Sequence, residues 1–334
     1  MKISKTNTLF VMQNKNTNII KFLSLIFLFL FASYYFYFFE NNKIHSVSSI
    51  PTQLWQPGKL LVAFIDVGQG DAAIIITPNK KTIVLDAGAS NDNNKKSNGQ
   101  KIIDYLKQYD ISSIDQLIIS HPHADHIGGM IPLLKKLAVK SLIDTGFKTT
   151  NSQYMQILKF VKEKNIGYTI PEKNEILTFD DNVTAKVLNV AHIVPENILY
   201  ANNSSIVLKM QFFNISFLLT GDMENGVEKI ILWDSPDLKS DVLKIAHHGS
   251  RSSTSEEFLH EVMPKYAVIM CGKNNHFGHP HQPTLDKLKK ISTNLYRSDI
   301  NGTIEFLTDG HELQVTLQKE SDPEKQYKYF KFEK

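Results

Sequence analysis

Two successive halves of this 334-residue chain each alternate strand-like apolar runs with helix-spaced apolar residues. That pattern predicts an α/β sandwich: two sheets inside, helices outside. A second observation agrees with it. The residues that carry chemistry fall at the ends of the predicted strands, where loops from both sheets can converge. The third is composition, since 42% hydrophobic residues suffice for a substantial core. The length suits one large domain or two small ones.

The chain opens with a different kind of segment. Lys2, Lys5, Lys15 and Lys21 precede an uncharged apolar run, Phe22 to Phe39, which Glu40 ends. As a helix this run would span about 27 Å, close to the hydrocarbon thickness of a bilayer. The basic flank places the N-terminus in the cytoplasm and the body outside. Tyr34, Tyr35 and Tyr37 then sit toward the outer end. The expected organisation is a cytoplasmic basic segment at 1–21, a single-pass membrane anchor at 22–39, a linker at 40–58 containing Pro51 and Pro57, a folded domain at 59–320 and a charged tail at 321–334. Two other readings compete with the anchor. One is a cleaved signal, which would make the protein secreted; the other is a buried helix of a soluble fold.

In the first half, Leu60–Val67 and Ala72–Thr77 read as buried strands around the turn Gly68-Gln69-Gly70. Thr82–Leu85 is a third strand, ending at Asp86-Ala87-Gly88. Lys101–Tyr109 has helical spacing through Ile102, Ile103 and Leu106. Gln116–Ser120 is a strand, Leu133–Ala138 a helix start and 141–143 a short strand. Residues 152–164 form a helix with Tyr154, Ile157, Leu158 and Val161 on one face. In the second half, Val183–Val190, Ser205–Phe212 and Ile215–Thr220 are strands, and Asn225–Trp233 is a helix. Asp241–Ala246 is a strand ending in His247-His248; Ser255–Met263 is a helix, Tyr266–Met270 a strand and Pro283–Lys290 a helix. Residues 303–307 and 312–318 close as a hairpin around Asp309-Gly310.

The strand Gln116–Ser120 runs into His121-Pro122-His123-Ala124-Asp125-His126, followed by Ile127-Gly128-Gly129. Three imidazoles and a carboxylate supply the nitrogen and oxygen donors that Zn²⁺ and similar ions take. His121 and His123 are one residue apart, so an extended or tightly turned backbone can aim both at one ion. Asp125 and His126 come a turn later and can serve a second. The glycines allow a tight turn into the next element.

Further motifs accompany this cluster: Phe64-Ile65-Asp66-Val67-Gly68-Gln69-Gly70-Asp71-Ala72, Leu85-Asp86-Ala87-Gly88, Asn202-Asn203-Ser204-Ser205, Leu219-Thr220-Gly221-Asp222, His247-His248-Gly249-Ser250 and Asn274-Asn275-His276-Phe277-Gly278-His279-Pro280. Together they resemble the metallo-β-lactamase superfamily. Their order is similar to the C-terminal hydrolase domain of the ComEC-type DNA-uptake proteins, over roughly residues 59–317. The resemblance implies a four-layer αββα sandwich with a one- or two-metal centre at one edge. It implies His121 and His123 as first-metal ligands, Asp125 and His126 as second-metal ligands, and Asp222 as the bridging carboxylate. Either His247 or His248 supplies a further ligand. Related folds place it just before glycine, which favours His248. Neighbours in an extended strand point to opposite faces, so His247 would then support the site from behind.

One departure stands out. Many members carry a histidine where this chain has Asn202-Asn203-Ser204-Ser205, as the ComEC-type group does. Asn203, a water or His192 could take its place. Asp66, Asp71 and Asp86 read as loop braces, with Asp66 or Asp86 also able to orient a ligand histidine. Only two arginines occur, Arg251 and Arg297. Arg251, close after His248, is suited to a substrate phosphate, and a solvated arginine fits equally. His279 matches a motif near the site, as a substrate contact or proton donor. Cys271, the single cysteine, reads as a buried small hydrophobe and excludes an intramolecular disulfide.

The activity implied is metal-dependent hydrolysis. Two divalent ions, Zn²⁺ by the histidine count with Mn²⁺ open, lower the pKa of a water that attacks as hydroxide, and Asp125 accepts its proton or holds it in line. The substrate that the resemblance implies is a phosphodiester, DNA above all. A separate membrane DNA channel would be the partner, since one apolar span cannot itself be the channel. Charge gives DNA no support. Five of the 37 basic and one of the 34 acidic residues lie in the first 50, leaving 32 and 33, a net of −1. That excludes the strong basic excess of a non-specific nucleic-acid binder. The alternatives are a surface phosphoesterase for teichoic acid or choline phosphate and a non-catalytic, metal-stabilised surface module.

Overall fold

The central strands are apolar at nearly every position because both their faces are covered. In the computed structural model, which describes residues 55–90, 97–234 and 237–328, β1 (Leu60–Phe64), β2 (Ala73–Ile76) and β3 (Thr82–Leu85) are buried throughout. They join β4 (Ser113–Ile118), β5 (Ala138–Ile143), β6 (Gly167–Thr169), β14 (Ile304–Thr308) and β15 (Leu313–Leu317) in an eight-stranded sheet of order β15-β14-β1-β2-β3-β4-β5-β6. A seven-stranded sheet holds β7 (Ile176–Asp180), β8 (Val183–Asn189), β9 (Val207–Phe212), β10 (Ile215–Leu219), β11 (Val242–Lys244), β12 (Tyr266–Ile269) and β13 (Asn294–Arg297), in the order β13-β12-β11-β10-β9-β8-β7.

Each sheet changes character once. The first is antiparallel from β15 to β3 and parallel from β3 to β6. The second is antiparallel from β7 to β10 and parallel from β10 to β13. Ligand crevices in α/β sheets form outside the carboxyl ends of parallel strands at such switches. The carboxyl ends of β3 and β4, and of β10 and β11, run into the predicted metal motifs.

Three apolar layers hold four structural ones together. Val62, Phe64 and Ile75 meet Leu208, Phe217 and Val268 between the sheets. Leu61 and Ile74 on the outer face of the first sheet pack in one cluster with Ile103 of α1 (Asn98–Lys107), Leu133 of α3 (Met130–Lys136) and Ile157 of α4 (Ser152–Glu163). A single turn, α2 (Ala124–Ile127), precedes α3. On the other sheet, Leu218 and Leu243 pack with Ile231 of α5 (Asn225–Asp234), Phe258 of α6 (Glu256–Val262) and Leu285 of α7 (Gln282–Lys290). Side-chain caps start these helices where the sequence has polar residues. Asn151 accepts from the amides of Gln153 and Tyr154, and Ser255 accepts from Phe258. The two-sheet αββα sandwich is therefore present.

The anchor expected at 22–39 lies outside the described residues. Among those, no helix is long and apolar enough to cross a membrane. Several element boundaries differ from expectation. Leu137 is extended (φ −117°, ψ 152°), so the helix ends at Lys136 and β5 begins at Ala138 rather than 141. The edge strand β6 is wholly exposed and so lacks an apolar signature. At the end of the sandwich away from the metal motifs, Asp180 of β7 reaches across to the first sheet. Its carboxylate accepts from Thr77 Oγ1 (2.6 Å), Asn79 N (2.9 Å), Asn79 Nδ2 (3.0 Å) and Asp181 N (3.0 Å).

Candidate metal centre

The first wall of the site grows from β3 and β4. Asp86 ends β3 with φ 60°, which turns its carboxylate under the following loop. It accepts from Ser120 N (2.8 Å) and Ser120 Oγ (2.5 Å) and faces His126 Nδ1 at 2.7 Å. Three residues after β4, His121 is fully buried. His123 is extended (φ −80°, ψ 150°) ahead of α2, and its Nδ1 lies 3.0 Å from His121 Nε2. Asp125 and His126 sit in the turn of α2 itself. Glycines let neighbouring backbones close around this loop. A Cβ on Gly70 would stand 2.0 Å from Asp125 O, one on Gly128 2.1 Å from Ser90 N, and one on Gly129 2.2 Å from Ala87 O. The close approach at Gly70, with Asp71 N donating to Asp125 O (3.2 Å), brings the Asp71 carboxylate into the site.

The second wall grows from β10 and β11. Gly221 turns with φ 52°, and Asp222 N donates to Ser205 Oγ (3.0 Å). His247 and His248 do not continue a strand. Both are left-handed, with φ 49° and 54°, so the opposite-face argument for two extended neighbours does not apply. The turn separates them all the same. His248 is buried in the cluster, whereas His247 Nδ1 lies 3.1 Å from Glu224 Oε1, with its side chain 21% exposed.

Asp222 is the hub. Its Oδ2 lies 3.2 Å from His126 Nε2, 3.2 Å from His248 Nε2 and 3.9 Å from His121 Nε2. Asp125 Oδ2 is 3.3 Å from His248 Nε2. Asp71, His126, Asp222 and His248 each present a ligand atom within 4.8 Å of the others, and all four are buried. The fold thus brings together His121, His123, Asp125, His126, Asp222 and His248, and adds Asp71, which had read as a loop brace.

The donor set fits a divalent cation. His248 Nδ1 lies 2.8 Å from Met270 O. A carbonyl only accepts, so Nδ1 carries the proton and Nε2 is the atom left for an ion. His126 Nδ1 donates to Asp86 in the same way, the arrangement that orients metal-ligating histidines. His126 Nε2, His248 Nε2, Asp222 Oδ1 and Asp71 Oδ1 are buried without a hydrogen-bond partner. Buried polar atoms in native folds are nearly always satisfied, and a cation would satisfy all of these.

Electrostatics bind the same groups. Burial alone would lower the His126 and His248 imidazoles, but Asp222, with Asp86 or Asp71, holds both well above the usual value. Burial keeps His121 well below it, helped by the charge of His126. Burial would raise Asp222 and Asp125, yet His248 and His126 hold both low. Lys244, a charge inside the apolar strand β11, is buried beneath the cluster. It pairs with Asp71, donates to Gly221 O (3.0 Å) and lies 3.7 Å from Asp222 Oδ1. Against burial, Lys244 holds the Asp71 carboxyl below its usual range.

Other predicted residues lie further out. Asp66 accepts from Gly68 N (3.1 Å) and braces that turn. Asn203 is engaged at both ends, Nδ2 donating to Ile198 O (2.9 Å) and Oδ1 accepting from Glu224 N (3.0 Å), so it ties loops together. His192, offered as a substitute for the missing imidazole, is on the surface, 2.9 Å from Glu172. Arg251 is exposed, and its backbone N donates to His281 Nδ1 (3.0 Å). Arg297 is buried in a two-point pair with Asp299. Cys271 is buried as expected. His279 lies at the mouth, its ring 5.4 Å from that of His247 and 6.1 Å from that of His248. Burial first, then neighbouring histidines, pushes its imidazole down to about 3. Sequence reasoning missed Lys244 and Glu224. Glu224 joins His247, Asn202, Tyr200 and Ser252 at the rim. A lysine within Val242-Leu243-Lys244-Ile245-Ala246 was the available signal for the first.

Residues 65–196 match the metallo-β-lactamase superfamily model. The ComE operon protein 3 of Bacillus subtilis is 34% identical over 256 residues, which are 73% of this chain and 32% of that protein. Recombination protein 2 of Haemophilus influenzae is 29% identical over 76% of this chain and 30% of its own length. Competence protein ComA of Neisseria gonorrhoeae is 25% identical over 72% and 31%. The chain spans about a third of the length of these curated relatives. With that similarity and a buried His/Asp cluster where the two sheets switch, the chain belongs to the metallo-β-lactamase superfamily of metal-dependent hydrolases, as a ComEC-like member.

Proposed function

We propose that this chain hydrolyses phosphodiester bonds of DNA at the His121–His248 cluster. It would do so with two divalent ions, outside the cytoplasmic membrane and beside a separate DNA channel. The carrying observation is Asp222 Oδ2, equidistant at 3.2 Å from His126 Nε2 and His248 Nε2, a carboxylate placed between two sets of donors. The DNA substrate rests on the competence relatives, and the location on the lysine-flanked apolar run at 22–39. His121, His123, Asp125, His126, Asp222 and His248 would hold the ions, with Asp71 at their edge. Bound there, divalent ions supply an activated water at neutral pH and neutralise charge on the phosphate oxygens. Zn²⁺ suits the imidazoles, and Mn²⁺ suits the carboxylates.

The chain's own residues do the rest. Asp86 fixes the His126 ring through Nδ1, and Met270 O fixes His248. Asp125 is the most open carboxylate of the group, 27% exposed at its side chain. It is thus placed to meet the substrate and to take a proton from the attacking water. The flanking β-sandwich keeps bulk water from the floor.

The test is to strip the purified full chain of metal, reload it with Zn²⁺ or Mn²⁺, and follow single- and double-stranded DNA beside Asp125→Asn. We expect metal-dependent loss of DNA with the parent and not the variant. Intact DNA with metal bound would overturn the nuclease reading and direct the search to other phosphodiesters.

A further inference from the structure

Beside the cluster lies a groove of about 330 Å³, within the range of small-ligand pockets. Its floor is the contact between the two walls: Gly272 N donates to Gln69 Oε1 (3.1 Å), in the turn that delivers Asp71. Phe277 lines it and is 63% exposed, a large apolar ring left in solvent. That ring is held in place. It stacks on His279 with centroids 5.7 Å apart and planes 19° apart, and His279 in turn lies 6.1 Å from His248. The ring of His279 is itself tilted by 34° against that of His248. Lys273 and Lys319 flank the groove, both exposed, and neither pairs with a carboxylate among the described residues. Of the acids that line it, Asp299 is neutralised by Arg297, and Asp66 accepts from Gly68 N.

An exposed aromatic face in a groove that two lysines also line is what an unpaired nucleobase and its phosphates require. In a duplex the bases are stacked inside and could not reach Phe277. We propose that this groove binds the nucleotide next to the scissile phosphate of a single DNA strand, its base on Phe277 and its flanking phosphates on Lys273 and Lys319. The inference rests on the nucleic-acid reading of the metal site and extends it to strand preference.

The test uses the full chain and a single-stranded oligonucleotide carrying 2-aminopurine at successive positions. Binding is read by fluorescence in the Asp125→Asn background, where no turnover is needed, and cleavage is read in the parent background. Quenching should occur at one position and vanish with Phe277→Ala. That change should weaken binding and raise KM by about 5- to 150-fold, the range for loss of one base stack, with Phe277→Trp restoring both. Replacing Lys273 and Lys319 by alanine should flatten the salt dependence of binding by about 1.4 log units per log unit of salt. Parent-like binding and KM in Phe277→Ala, with DNA still cut, would overturn the groove and leave the nuclease reading standing. Position-specific quenching without cleavage by the parent would do the reverse.

Discussion

The two ends of this sandwich are each closed by an aspartate that reaches between the sheets, and they differ in one respect. At the far end, Asp180 accepts four hydrogen bonds, from Thr77, Asn79 and Asp181. At the site end, Asp222 Oδ1, His126 Nε2 and His248 Nε2 are buried with none. The same residue type does a structural task where its oxygens are satisfied by the chain and keeps a donor atom to spare where one is not. The contrast between these two aspartates is one of satisfaction, not of burial or charge.

The largest effect expected of that difference concerns Lys244. Lys244→Met removes the nearest counter-ion of the buried Asp71 carboxylate and leaves His248 Nδ1 at 3.3 Å as its closest cationic neighbour. Breaking a buried pair this way costs about 3–5 kcal/mol, to be read by denaturant unfolding in chelator; an unchanged midpoint would mean that Asp71 has no need of the ammonium. Next comes Asp222→Asn. It should lower metal affinity by more than about 100-fold, beyond what residues supporting ligands from behind achieve, and, by removing the counter-charge that faces His126 and His248 at 3.2 Å, also lower the melting temperature of the metal-free chain. Equilibrium dialysis and thermal melts check the two halves of that statement.

Asp180→Ala should behave in the opposite way. It strands the donors of Thr77 and Asn79, for a loss of about 2 kcal/mol, and leaves metal binding within twofold. A loss of metal from this variant would show that the two ends are coupled. The smallest effect is in acid. Hydrogen bonds from Thr77 and Asn79, working against burial, hold the Asp180 carboxyl below its ordinary 3.8. Its stabilisation is therefore present above pH 3.8 and lost as pH falls through the lowered value. The gap in melting temperature between parent and Asp180→Ala should be constant from pH 5 to 7 and close only below about pH 4.

How far these regions were legible in the sequence follows from how local they are. The hexapeptide from His121 to His126 is contiguous, so its donors could be read directly, and so could the apolar strands that became the inter-sheet core. The place of Asp71 beside the cluster was not legible, because it depends on its backbone N donating to Asp125 O, a contact across 54 positions. Lys244 sits in a strand of three residues whose apolar neighbours hid it. The orientation of His247 and His248 depends on two consecutive left-handed residues, a conformation in which histidine is enriched but still too uncommon to be read from sequence. Asp180 pairs with a turn about a hundred positions away.

The backbone contacts at Gly70, Gly128 and Gly129 have a consequence for how such a protein can diverge. They touch no substrate, yet each leaves no room for even a methyl group. Drift at the floor of the site is thus closed to any side chain, whatever its chemistry. The outer loop from Lys273 to Phe277 is solvent-facing at most positions and carries no such lock. New specificity should therefore be sought, by selection or by library, along that loop, with the glycine seams held constant.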